Sequence, residues 1–109
     1  MIKYPFFALL LFPVTLIAQQ VTTLVNDPST RFRDDLIFDN VGNLYCADYP
    51  GNSVYKRTPD GVVTTFASGF NTPNGLAFDS QQNLFVADNV GNRIYKLDDN
   101  GQFLDTFAI

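Results

Sequence analysis

Eleven aspartates, no glutamate and no histidine leave this 109-residue chain a short menu of chemistry. Histidine is the commonest general base and metal ligand, so proton transfer or ion binding here falls to Asp, Asn, Lys, Arg or Tyr. No nucleophile elbow, phosphate-binding glycine loop or zinc spacing occurs. Several chemistry-bearing residues recur at a fixed separation: Asp39 with Asp79, Asp48 with Asp88, Tyr55 with Tyr95 and Lys56 with Lys96. Recurrence of this kind marks construction, and recurring Asp at the end of a strand is expected to accept hydrogen bonds from turn backbone. A break in the recurrence is where function is to be sought. The clearest break is residues 26–35, with Arg31, Arg33, Asp27, Asp34 and Asp35, whose counterpart at 68–75 carries no charge. Its charges suit contact with an anionic or polyhydroxy ligand, and they suit a plain solvated loop equally.

The elements that must position these residues follow from a repeat of forty. Residues 36–56 and 76–96 share Leu, Phe, Asp, Asn, Leu, Ala, Asp, Gly, Asn, Tyr and Lys in register. Short runs rich in β-branched and aromatic residues predict strands at 36–39, 44–48, 53–57 and 62–66, and again at 76–79, 84–88, 93–97 and 103–107. Gly42-Asn43, Gly51-Asn52, Asp60-Gly61, Gly91-Asn92 and Asn100-Gly101 supply the turns, because Gly and Asn tolerate positive φ. Four antiparallel strands per forty residues is the pattern of a β-propeller blade. The fold class is therefore all-β, a propeller fragment of two four-stranded blades. Residues 21–24, Val-Thr-Thr-Leu, copy the fourth-strand sequence Val-Thr-Thr-Phe at 63–66 and predict a closing strand for a further blade. The expected layout is a signal peptide at 1–18, closing strand and entry loop at 19–34, one blade at 35–67 and a second at 68–109. Blade end faces carrying Phe38, Leu44, Phe78, Leu84 and Val86 would stand open, so the chain is expected to be the N-terminal part of a longer propeller or to self-associate through those faces.

Lys3 followed by an apolar run at 6–17 reads as a secretory signal peptide, with cleavage after Ala18 leaving Gln19 first. The run is short for a membrane span, which needs about 20 apolar residues. The expected location is secreted or periplasmic, with no membrane contact after cleavage. Loss of Lys3 takes the formal charge from −4 to −5, which argues against nucleic acid or an anionic membrane as partner. The single cysteine, Cys46, cannot form an internal disulfide and reads as a small buried hydrophobe in the place of Val86.

Pro73-Asn74-Gly75-Leu76-Ala77-Phe78-Asp79, then Asn83-Leu84-Phe85-Val86-Ala87-Asp88, then Gly91-Asn92-Arg93-Ile94-Tyr95-Lys96, resembles the blade motif of the NHL-repeat proteins and of the SMP-30/gluconolactonase/LRE-like proteins. The resemblance implies a propeller and covers nearly all of the expected mature chain. In the gluconolactonase-like enzymes it also implies a divalent cation, Ca²⁺ or another, held by Asn, Asp and Glu where the innermost strands begin and polarising a sugar lactone for attack by water. Asn74 stands at one such ligand position. Asp34, one repeat earlier, stands where that family has a Glu and is one methylene shorter. The remaining ligands and the catalytic Asp of that family lie in later blades. Pro-Asn-Gly is equally an ordinary turn. Two functions are expected from this reading: an exported, non-catalytic module binding a small polyhydroxy ligand or a protein, and part of a metal-dependent sugar lactone hydrolase.

Overall fold

The computed structural model describes residues 19–25, 32 and 34–108. Eight strands form two four-stranded antiparallel sheets, each a meander in which strand order follows the chain. The first sheet contains β1 (Leu36–Phe38), β2 (Leu44–Asp48), β3 (Ser53–Arg57) and β4 (Val63–Ser68). The second contains β5 (Pro73–Phe78), β6 (Leu84–Asp88), β7 (Arg93–Leu97) and β8 (Phe103–Ala108). A 3-10 turn at Tyr49–Gly51 joins β2 to β3, and no α-helix occurs among the described residues.

Alternation of side chains along each strand decides which face meets which. Ile37, Tyr45 and Lys56 are cross-strand partners on one face of the first sheet, as are Ala47, Val54 and Ala67. In the second sheet Leu76, Val86 and Tyr95 share a face with Phe78, Leu84 and Leu97. These two faces stack on each other: Tyr45, Val54 and Ala67 form one core with Phe70, Leu84, Val86 and Leu97. Tyr45 sits edge-on to Phe66 and Phe78, with centroids 4.9 and 5.2 Å away. Each fully buried Leu or Val contributes about 1.5–3 kcal/mol, so this seam is the main cohesive surface of the pair.

The stacking corrects the expected open faces. Leu84 and Val86 are completely buried in the seam and Phe78 packs on it, while on the outward face of the first sheet Leu44 is buried outside that core and Phe38 remains 57% exposed. One face of each sheet covers the other, so the outward apolar residues are instead Leu36 and Phe38 on one side and Phe107 on the other. Cys46 is fully buried at the site matching Val86. Residues 21–24 enter no ladder with the described strands, and Val21 is 94% exposed. A strand needs the N–H and C=O groups of a neighbouring strand, which a copied run of four residues does not bring with it. The expected signal peptide at 1–18 lies outside the described residues, as do 26–31 and 33 of the loop before β1.

At one end of the pair four hairpins close on the same turn. Gly42, Gly61, Gln82 and Gly101 each donate their N–H to the carbonyl three residues back, on Asp39, Thr58, Asp79 and Asp98. All four sit at positive φ, where three are Gly and one is Gln82, at φ 64°. Gly101 has a second constraint, because a Cβ there would collide with the Phe66 carbonyl across the seam.

Candidate functional site

The hairpin end brings together several residues at which the two repeats differ. In the second sheet Asp79 accepts from Asn83 N–H at 2.9 Å, Gln81 N–H at 2.9 Å and the Asn83 amide at 3.1 Å. Its other partner is Lys96, with Nζ 3.7 Å from Oδ2. These contacts, the Asn83 N–H foremost, hold its carboxyl below the usual carboxylate range. Asp39 takes the matching bonds from Asn43 N–H at 2.8 Å, Val41 N–H at 3.1 Å and the Asn43 amide at 2.7 Å. Here, however, Tyr45 replaces Phe85, and its hydroxyl donates to Asp39 Oδ2 at 3.3 Å. Burial raises the Asp39 carboxyl, but its donors outweigh that and leave it lowered. Burial, and then the Asp39 charge, push the Tyr45 hydroxyl up, so it stays protonated and donates.

With Tyr45 occupying the oxygen that Lys96 reaches in the second sheet, Lys56 turns elsewhere. Its Nζ lies 5.7 Å from the Tyr45 centroid and 5.9 Å from that of Phe66, and it makes no ion pair among the described residues. Lys56, Tyr45 and Phe66 line a cavity of about 310 Å³ between the sheets, whose rim carries Asn40, Gln82 and Asp99. Asn40 N–H donates to Gln82 Oε1 at 2.9 Å and ties the two sheets at this end.

At the opposite end the innermost strands begin. Asp34 is exposed in a bend just before β1, and Asn74 is the half-buried second residue of β5. Pro73 pairs with Asp88 while Gly75 pairs with Ala87, which leaves Asn74 as the extra residue of a β-bulge. A bulge lifts one residue out of the ladder and re-aims its side chain. It also starts β5 at Pro73 rather than at the expected Leu76. Pro is tolerated as a first strand residue because its missing N–H breaks no interior bond. Asp35 links the starts of β1 and β5, accepting Leu76 N–H at 2.8 Å and Leu36 N–H at 3.0 Å through its two carboxylate oxygens.

Behind Asn74 stands Asp88, completely enclosed, accepting Asn71 N–H at 2.7 Å, Thr72 N–H at 2.8 Å and Gly91 N–H at 3.2 Å. Burial raises this carboxyl, and the three N–H groups with nearby Arg93 pull it below the usual range. Asp88 thereby fixes the segment that delivers Asn74. Its counterpart Asp48 is equally buried, yet neither of its carboxylate oxygens has a hydrogen-bond partner among the described residues. The expectation that every recurring Asp accepts turn backbone holds for Asp39, Asp79 and Asp88 and fails for Asp48. The residues matching Asn71 and Thr72 are 31 and 32, and Phe32 instead stacks on Tyr55 at 6.3 Å. Beside Asp88 an open cavity of about 330 Å³ is lined by Asn52, Asn71, Arg93 and Tyr95.

No protein-family model matches the chain, and no curated protein matches its sequence. Solved structures do. A virginiamycin B lyase from Staphylococcus aureus aligns with a TM-score of 0.61 at 17% identity, over 68% of this chain and 26% of the lyase. Its catalytically inactive His-to-Ala variant with quinupristin aligns with a TM-score of 0.60 at 17% identity, over the same shares. A Bacteroides caccae protein of unknown function aligns with a TM-score of 0.61 at 18% identity, over 79% of this chain and 31% of that one. These sheets are β-propeller blades. The chain spans about a quarter to a third of the length of the propeller structures it matches. At this identity the likeness establishes the fold alone.

Asp34 lies in the bend before β1, and Asn74, forty residues on, lies within β5 as its bulge residue. Their oxygens are of the type a hard divalent cation takes, but such an ion takes about six to eight of them. The described residues contain no cluster of three or more acidic, His or Cys groups. Asp34 and Asn74 therefore fit such an ion in kind and not in number. Sequence reasoning missed Tyr45, Gln82 and Asp99 as a group. Their signal was the misfit of each with its partner forty residues away, Phe85, Gly42 and Pro59.

Proposed function

We propose that this chain is an exported propeller module of the NHL and SMP-30/gluconolactonase-like type that binds a small polyhydroxy ligand or a protein where its innermost strands begin. The observation that carries the reading is the bulge at Asn74, braced by Asp88 and placed beside the Asp35 bridge, which turns a polar side chain out of the ladder at the start of a strand. The net negative charge supports a partner other than nucleic acid or an anionic membrane. Export is tested by expressing the whole chain and sequencing the N-terminus of the released protein, which begins at Gln19 if cleavage follows Ala18.

The same bulge favours a second reading, a portion of a divalent-metal-dependent sugar lactone hydrolase, in which Asn74 and Asp34 would contribute ligands. A bound cation would polarise the lactone carbonyl, and these residues would help to seat it. Acid release from gluconolactone, followed with and without Ca²⁺, separates the two. The binding module leaves the lactone unopened and shows Asn74-dependent shifts in its amide spectrum. The hydrolase opens it in a metal-dependent manner that Asn74→Ala abolishes. A lyase activity is not carried over from the structural neighbours. At 17–18% identity over part of those chains the likeness carries the fold alone.

A further inference from the structure

We infer that the cavity between the blades at the hairpin end is a second binding site, for a neutral polyhydroxy ligand of monosaccharide size. This site is independent of the one at Asn74, from which it is separated by the length of the strands. Three departures from the repeat meet there. Tyr45 stands where the second blade has Phe85, and its hydroxyl displaces lysine from the turn aspartate. Lys56, so displaced, lies over the Tyr45 and Phe66 rings and lines the cavity. Gln82 occupies a left-handed turn position that the other three hairpins give to Gly.

The last departure is the most telling, because a non-glycine residue in the left-handed region is unfavourable relative to Gly. Strain retained at a cavity points to use of the side chain that carries it. Gln82 uses that position to span the seam, its Oε1 accepting the Asn40 N–H and its Nε2 donating to the Asp79 carbonyl at 3.5 Å, which fixes the amide at the cavity rim. Asp99 completes the rim where the first blade has Pro59, and its charge reaches Tyr45.

The lining selects the ligand class. An anion would meet Lys56 but also two carboxylates, Asp39 and Asp99. A cation would meet the Lys56 ammonium, which already lies over the Tyr45 and Phe66 rings. A purely apolar ligand would strip water from the amides and carboxylates without replacing their hydrogen bonds. Hydroxyl groups both donate and accept, so they can donate to Asp99 and accept from Lys56, while the carbon skeleton rests on Phe78, the lining ring that Lys56 leaves uncovered. A volume of about 310 Å³ lies at the small end of ligand pockets, which matches a single sugar ring rather than an oligosaccharide.

The test is an amide-resonance titration of the purified chain with glucose, galactose, arabinose and, as controls, acetate and a tetraalkylammonium salt. The expected result is a saturable shift at Asn40 and Gln82 with one of the sugars, at a Kd of roughly 1–10 mM. Asp99→Asn and Lys56→Met each weaken it about tenfold, while a dispersed spectrum reports that the fold is kept. Gln82→Gly, which suits the turn, also weakens binding and so separates a ligand role from a folding role. The inference is overturned if no sugar saturates, if the shifts fall at Asn74 instead, if acetate or the ammonium ion binds in place of the sugars, or if the variants bind as the parent does. The shifts at Asn40 and Gln82 decide the matter, whether or not the site at Asn74 also responds.

Discussion

Asp88 and Asp48 occupy one position in two copies of the same blade and have opposite surroundings, which makes them a controlled comparison. Asp88 holds three N–H groups, so Asp88→Asn loses charge-assisted bonds and costs about 2 kcal/mol. Asp48→Asn replaces a buried carboxyl that has no hydrogen-bond partner among the described residues and leaves the urea midpoint unchanged or higher. Equilibrium unfolding of the two variants checks both expectations. The lowered carboxyls of Asp39, Asp79 and Asp88 also set the acid response. Their folded values lie below the ordinary 3.8, so the unfolded chain takes up these protons first as pH falls. The stabilisation is complete above about pH 4 and is lost as pH falls below it through the folded values. A urea midpoint that is flat near neutrality and drops on the acid side is the expected profile, and a midpoint that rises on acidification would contradict it. The recurring Asp residues were legible in the sequence because they bond within their own turns. The lack of a partner for Asp48 among the described residues was not, because which N–H groups reach a buried carboxyl is settled in three dimensions.

At the scale of elements, the hairpin turns explain why strand placement could be read locally and why the bulges could not. A turn of the Asp39 to Asn43 type needs only its own residues, one positive-φ position and an Asp or Thr to open it. The bulge at Asn74 depends on where β6 stands beside β5, so the run of residues alone placed the start of the strand three positions late. Gly101 shows the same division between local and distant causes. Its φ of 80° is a local demand, and the Phe66 carbonyl beside it is a distant one. Gly101→Ala therefore costs more than conformational strain alone, about 2 kcal/mol or more, because the two blades must shift to admit the methyl. The equivalent change at Gly69, also at positive φ but with nothing near its missing Cβ, meets only the strain and costs about 1 kcal/mol. Thermal melts of the two variants give the comparison.

For the whole molecule, the seam between the blades makes them one cooperative unit. Leu84 is fully buried in that seam, and Leu84→Ala costs about 2–5 kcal/mol. Tyr45 and Tyr95, one in each blade, lose their tertiary environment at one midpoint in this variant, as in the parent. Separate transitions in near-ultraviolet circular dichroism would show instead that each blade stands alone. The blade pair was legible in the sequence because the repeat is strong, but the cavity at the seam was not, since its residues come from turns and strands of both blades. The seam has a further consequence, drawn from the face that remains outward. Ala77, Phe85, Ala87, Ile94 and Phe107 sit forty positions after Ile37, Tyr45, Ala47, Val54 and Ala67, which form the buried side of the first blade. The far side of the second blade thus carries the pattern that the near side of the first uses to hold its neighbour. A gene segment encoding such a unit can be duplicated without inventing an interface, since every copy arrives with both halves of the joint. Lineages can lengthen a stack of this kind by copying alone, and only the geometry of a closing ring tells them when to stop.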